Sequence, residues 1–205
     1  VDRYAVHPQG YVFGITAQPS KIHRIQLPVD SSGNLQPVSD ASAPMATLLS
    51  GEGSREGLIG GPAGIAIALD GRIIVAEGNN YRLQAFDVNG NPVPYFNGGT
   101  SSTAPLQNQQ GDVILDLAIE GKGYIYVLYA TGDGSSADQY WLAIYQPDGT
   151  YLTQTQNFAA GCISVDLLRA VFALNYEMIV DQNNRIQPTV SKWLPTPPTS
   201  PSSNQ

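Results

Sequence analysis

Charged side chains are scarce in this 205-residue chain, making up 13% of it, about half the usual share. Ten Lys and Arg stand against 17 Asp and Glu, for a net charge of −7. Such a chain has no basic footprint, which excludes nucleic acid and anionic membrane surfaces as partners. Cysteine is nearly absent too. Cys162 stands alone, so no intrachain disulfide forms and both a cytosolic and an envelope address stay open. Its apolar neighbour Ile163 favours a small buried residue over a reactive thiol. No apolar run approaches the ~18 residues of a membrane-spanning helix, and nothing near Val1 resembles a signal peptide. Val1 leads almost directly into strand-like sequence, so the chain reads as a fragment or a processed product. Nucleophile motifs are missing as well: there is no Gly-x-Ser-x-Gly and no supported Cys–His pair. The loop GEGSREG (51–57) has neither a P-loop Lys nor a dinucleotide spacing.

What the chain does contain is a recurring unit. In AIALDGRIIVAEGNNYRLQAFDVNG (66–90), Ile65, Ile67 and Leu69 alternate with alanines, the period of a strand. Asp70-Gly71 turns the chain, Ile73 to Val75 is β-branched, Gly78-Asn79-Asn80 breaks it, and a strand from Leu83 ends at Asn89-Gly90. This is an antiparallel meander. A shift of 61 positions lays Gly10 on Gly71, Ala5-Val6 on Ala66-Ile67 and Lys21-Ile22 on Arg82-Leu83. A shift of 52 the other way lays Gly123 to Val127 on Gly71 to Val75. A fourth, weaker copy starts at Cys162 and ends near Leu194. Repeats of this length, each a small meander, predict the blades of an all-β propeller, over 2–49, 62–97, 113–156 and 162–195. A β-sandwich would not return the same register at nearly fixed spacing. The tail 196–205, rich in Pro and Ser, reads as flexible.

The segment 51–90 resembles an NHL repeat: a Gly-rich lead, Pro62 before Gly64-Ile65-Ala66, the Asp-Gly turn, the pair Asn80 and Arg82, and Phe86-Asp87 before Asn-Gly. The resemblance implies an NHL-type β-propeller, a family that usually closes as a six-bladed ring. About four blades are visible here, and the last copy offers only three strands. The chain is therefore expected to be the C-terminal part of a larger ring, with a four-bladed ring as the alternative.

In such a meander the loops between second and third strands share one face with the connections between blades. The long segments 51–63, 97–112 and 130–139 all fall there, and loops on a rigid scaffold are where binding residues gather. Glu77, Asn79 and Asn80 form a polar cluster on that face. In propeller lactonases oxygen-rich side chains at a channel mouth hold Ca²⁺, while here turn geometry and a repeat-internal hydrogen bond explain the asparagines. The loop ATGDGSSADQYW adds Asp133, Asp138 and Tyr140, without the alternate acids or closing Glu of a calcium loop. Trp141 takes the position of Arg82 and is expected to pack between blades. Asp116 and Asp166 interrupt apolar inner strands in adjacent copies. They read either as channel acids able to bind a cation or do acid–base work, or as solvated or turn-capping carboxylates. His7 and His23 read as ordinary strand residues, since zinc catalysis usually needs three protein ligands.

These features predict a non-catalytic scaffold or binding module with no resident cofactor, its loop face taking protein, peptide or glycan. The alternative is a fragment of a metal-dependent propeller hydrolase or lyase, lactonase-like or amidating-lyase-like, with Ca²⁺ as the candidate ion. A third reading is a component of a larger assembly. A Thr/Ser/Asn/Gln-rich surface without an N-glycosylation sequon leans towards a secreted or cell-envelope protein of a bacterium.

Overall fold

The computed structural model describes residues 2–28, 30–32, 34, 36, 45–107, 112–131, 139–156, 158, 160–166, 170–175 and 189–194. They form four antiparallel sheets. Sheet 1 holds β1 (Arg3–His7), β2 (Tyr11–Thr16), β3 (Lys21–Gln26) and β4 (Met45–Ser50). Sheet 2 holds β5 (Pro62–Ile67), β6 (Ile73–Glu77), β7 (Arg82–Phe86) and β8 (Thr103–Pro105). Sheet 3 holds β9 (Asp112–Ile119), β10 (Ile125–Thr131), β11 (Gln139–Tyr145) and β12 (Tyr151–Gln156). Sheet 4 holds β13 (Cys162–Val165), β14 (Val171–Asn175) and β15 (Thr189–Trp193). Each is an up-and-down meander whose first strand packs near a shared axis. The architecture is a four-bladed β-propeller, all-β as the repeat predicts.

The repeat of the sequence is a repeat of pairing. Ala5 faces Phe13 across sheet 1, and 61 positions on Ala66 faces Ile74 across sheet 2. Val12 with Ile25 becomes Ile73 with Phe86, and in sheet 3 Ile125 with Tyr145, 52 and 59 positions on because the loop between the strands is longer there. The first hairpin of each of the first three copies turns at a glycine with left-handed φ, +81° at Gly10, +85° at Gly71 and +88° at Gly123. That value costs a side chain strain but costs glycine nothing. The short β8 falls inside 97–112, read from the sequence as a loop, because three residues ending in proline carry no alternation to detect.

Apolar contacts fill three interfaces. Between sheets 1 and 2 lie Phe13, Ile15 and Ile22 against Ile65, Ile73, Val75 and Phe86. Between sheets 2 and 3, the small Ala66, Ala68, Ala76 and Ala85 meet the large Tyr129, Trp141 and Tyr145, a size match that lets the layers interdigitate. Between sheets 3 and 4, Tyr126, Leu128 and Leu142 meet Ile163, Val171 and Ala173. Among the described residues no such cluster joins sheet 4 back to sheet 1. Tyr4 and Val6, on the face of sheet 1 turned away from sheet 2, are 73% and 63% exposed, whereas Ile65, the copy of Tyr4, is 4% exposed.

Polar contacts do reach across the axis. The Arg3 guanidinium on β1 donates through Nη2 to the carbonyls of Leu115 and Gly161, both at 3.2 Å, and its Nε lies 3.4 Å from Asp116 Oδ1. Asp116 in turn accepts the N–H groups of Leu117 and of Ile163, each at 2.9 Å. Sheets 1, 3 and 4 are thus stitched at one point. Sheet 2 joins them by sheer proximity: a Cβ on Gly64 would lie 2.5 Å from Leu117 Cβ and 2.6 Å from Leu117 N. Backbone cannot give way there. Gly64→Ala is therefore expected to lower the unfolding free energy by about 3 kcal/mol, read as a drop in urea midpoint at unchanged m-value.

Candidate functional site

The loop face is organised by Glu77, the last residue of β6. Its carboxylate is fully buried and saturated. Oε1 accepts from Arg82 Nε at 2.8 Å and Gln84 Nε2 at 2.9 Å; Oε2 accepts from Gly60 N at 3.0 Å and Asn80 Nδ2 at 2.5 Å. Two donors per oxygen leave no lone pair for a cation. Arg82 continues outward and donates to the carbonyls of Ser54, Arg55 and Leu58, while Asn80 holds Gly53 O and Gln84 holds both Leu58 O and Gly57 N. Glu77 and Asn80, read from the sequence as part of a polar cluster on the loop face, thus form an anchor, fully buried at Glu77 and half-buried at Asn80, that ties down the segment 53–60.

The same three positions recur with different chemistry. In sheet 1 they are Thr16, Lys21 and His23, with His23 within 3.4 Å of the hydroxyls of Thr16 and Thr47. In sheet 3 the Glu–Arg pair becomes Tyr129 stacked on Trp141, with ring centroids 3.9 Å apart and planes within 4°. Trp141 is buried, as expected of a packing residue, and its indole N–H points to Asp112 Oδ1 at 3.4 Å.

On this face, at the mouth of the axis, lies a cavity of about 460 Å³. Its rim carries Asp2, Arg3, Glu52, Asn79, Tyr81 and Asp112, and aliphatic walls come from Pro62, Ala63, Val113, Ile114 and Leu115. Glu52 and Asn79 touch through Asn79 Nδ2 and Glu52 Oε1 at 3.4 Å. Tyr81 holds a left-handed φ of +45°, a conformation that costs a non-glycine residue roughly 1–3 kcal/mol and often marks a functional position. Its hydroxyl donates to Asp112 O at 2.6 Å, and its own carbonyl accepts Leu106 N. The Asp112 carboxylate accepts the hydroxyl of Thr131.

The expected site residues separate. Asn79 lines the cavity. Asp116 sits beside it on β9, and burial pushes its carboxyl above the ordinary aspartate value, against the pull of the Ile163 and Leu117 N–H groups and of Arg3. Asp166 follows the end of β13 instead, where Oδ1 accepts Ala170 N at 2.8 Å and caps a hairpin on the opposite face. The two acids do not share a channel. Tyr140 is half-buried at the start of β11, away from the cavity lining. Asp133 and Asp138 lie outside the described residues. His7 bridges two blades from the far face, its Nε2 2.9 Å from Gly71 O and its Nδ1 accepting Gln9 N. Cys162 is half-buried, and burial raises its thiol pKa. Among the described residues no three His, Cys, Asp or Glu side chains gather as a metal site would require, and no helix is long and apolar enough to cross a membrane. Sequence reasoning passed over Asp2, Arg3, Glu52, Tyr81 and Asp112. The one signal available was that charged residues open the inner strands β1 and β9.

No protein-family profile and no curated protein matches the chain. Solved structures with similar backbones include a luciferin-regenerating enzyme, at 14% identity and TM-score 0.43, which matches 73% of this chain and 42% of its own length. The aldose sugar dehydrogenase of Streptomyces coelicolor, in a PQQ-bound form, is 14% identical with TM-score 0.46, over 92% of this chain and 65% of that one. Virginiamycin B lyase from Staphylococcus aureus is 11% identical with TM-score 0.44, over 93% of this chain and 68% of that one. The chain thus spans between two fifths and about two thirds of these proteins. Such identities leave their activities with those proteins.

Two outcomes follow from the anchor positions. Glu77→Ala strips the acceptor from a largely buried guanidinium, two side-chain amides and the Gly60 N–H and should cost about 3–5 kcal/mol, measured by urea denaturation. His23 has its pKa lowered by burial and by the charge of Lys21. The unfolded chain therefore takes up this proton first, near pH 6.5, and the stabilisation present above that pH is lost as pH falls towards the folded-state value. Melting temperature followed from pH 7.5 to 5 should fall more steeply for the natural chain than for His23→Gln.

Proposed function

We propose that the chain is an NHL-type propeller binding module, without catalysis of its own, that takes a peptide, a protein segment or a glycan into the axial cavity on the loop face. The observation that carries this reading is the cavity itself. A concave space of about 460 Å³, with aliphatic walls and a few polar groups at its rim, is the usual form of a small binding site. Its walls come from the starts of inner strands, so it is rigid before a ligand arrives, which reduces the ordering cost of binding. The inner-strand acid Asp116 and the anchor Glu77 are committed to the protein: Asp116 is engaged by two N–H groups and Arg3, and Glu77 by four donors. A general acid or base has to reach its substrate's proton, and neither of these carboxylates is free to do so. We place the protein, on the same footing, in the secreted or envelope fraction of a bacterium.

The test is a titration of isotope-labelled protein with panels of short peptides and of oligosaccharides, followed by NMR shifts of Ala63, Val113 and Ile114. Val113 is exposed at the cavity wall, so Val113→Arg fills the space with a stability change of about 0.5 kcal/mol or less. Binding that reports on these three residues and disappears in Val113→Arg is expected. Ligands that shift only residues elsewhere would remove the cavity from the proposal. A melting temperature that drops on chelation and recovers on adding Ca²⁺ would favour the metal-dependent hydrolase or lyase instead.

A further inference from the structure

The donors and acceptors around the axial cavity are unequally committed, and the imbalance selects a ligand. The rim's side-chain donors are nearly all spent on the protein. Arg3 serves the carbonyls of Asp2, Leu115 and Gly161 and faces Asp116; Asn79 donates to Glu52, and the Tyr81 hydroxyl donates to Asp112 O. Gln18 is the one lining side chain, among the described residues, whose amide is uncommitted. Acceptors remain in hand. Asp2 uses Oδ2 for Ala17 N at 2.7 Å and Glu52 uses Oε1 for Asn79, which leaves Asp2 Oδ1 and Glu52 Oε2 open. Both residues are solvent-exposed, and among the described residues neither belongs to an ion pair. The one cation of the rim, Arg3, is already matched by Asp116. Below the rim the walls are aliphatic.

A ligand suited to this arrangement brings donors, positive charge and a methylene stem, and needs no donors in return. We infer that the cavity takes a primary ammonium group on an aliphatic stem, as presented by a lysine side chain or the free N-terminus of a peptide, with the ammonium between Asp2 and Glu52 and the stem against Ala63, Ile114 and Leu115. An ammonium carries three donors and no acceptor, and a lysine stem covers apolar surface while its head stays in water. A sugar hydroxyl can donate to the same carboxylates, but it brings no charge, and its acceptor lone pairs find few free donors on the rim. A carboxylate or phosphate would meet two like charges. The overall charge of −7 works in the same direction by raising the encounter rate of cationic segments. Because both carboxylates face solvent, the attraction is screened by salt.

This inference rests on the cavity being a binding site and is tested so that the two can fail separately. Four probes are titrated in 20 mM salt with the same NMR readout: a free-N-terminal Gly-Ala-Lys-Ala amide, its N-acetyl form, the N-acetyl form with lysine ε-acetylated, and an N-acetyl Gly-Ala-Glu-Ala amide. Glucosamine and N-acetylglucosamine oligomers form a fifth arm. The first probe should bind, with lysine identified as the source if N-acetylation leaves affinity unchanged and the N-terminus if it abolishes it. The doubly acetylated and glutamate peptides should not bind. Glu52→Gln and Asp2→Asn should each weaken binding about threefold and together about tenfold, and 300 mM salt should weaken it about as much as the double variant. Equal binding of the doubly acetylated or glutamate peptide, preference for the N-acetylglucosamine series, or an unaltered affinity in the double variant would overturn the ammonium assignment and leave the cavity as a site for another ligand, and preference for the glucosamine series, whose ammonium sits on a ring carbon, would overturn the methylene stem. Silence from every probe would overturn both.

Discussion

Everything in this molecule is arranged around the close approach of inner strands at the axis. Gly64 lies with its Cα where a side chain would run into the backbone of Leu117, so β5 and β9 touch main chain to side chain with no spacer. One residue away, Asp116 holds the N–H of Ile163 on the next blade and meets Arg3 from the first. Position by position, the axis replaces bulk with glycine on one side and with a shared hydrogen-bonding node on the other. The broad apolar interfaces outside it then follow, because blades pinned this closely at their inner edges bring their faces within packing distance.

The blades solve a common problem with three different chemistries. Wherever the second strand ends and the third begins, the chain must fix a loop on the upper face. Sheet 2 does so with a buried carboxylate and a guanidinium that reaches three carbonyls. Sheet 3 places an aromatic stack in the same register, and sheet 1 a threonine, a lysine and a buried histidine. The cost of a buried Glu–Arg pair is offset only because every oxygen is satisfied. That is also why Glu77 serves architecture and does not meet a ligand. The cavity is shaped by this work, since a segment tied down at 53–60 keeps Glu52 and Asn79 at the rim.

Much of this was readable in advance. The 61-residue shift that matches Gly10 to Gly71 matches the strand pairs as well, because pairing register is set by alternation and turn position, both local properties. The packing role of Trp141 followed from its place in the repeat. Glu77 and Asn80 were legible as a polar cluster but not as an anchor: their loop partners, Gly60 and Gly53, lie 17 and 27 positions away and are brought in by a segment with no period. Asp116 and Asp166 looked alike in adjacent copies. They part company because β13 ends at Val165, so Asp166 lies beyond its strand and turns the hairpin while Asp116 stays within its own.

The sequence by itself determined the four-blade repeat, the strand register and the face on which the long loops gather, since these depend on neighbours within a few residues or on one constant spacing. Tertiary structure alone decided which polar residues face a cavity and which are consumed in holding it open. Asp2, Glu52, Tyr81 and Asp112 belong to three different blades or their connections, and only the convergence of strand starts at an axis brings them to one rim. Whether a carboxylate is a ligand or a strut depends on how many donors reach it, and those donors arrive from across the fold.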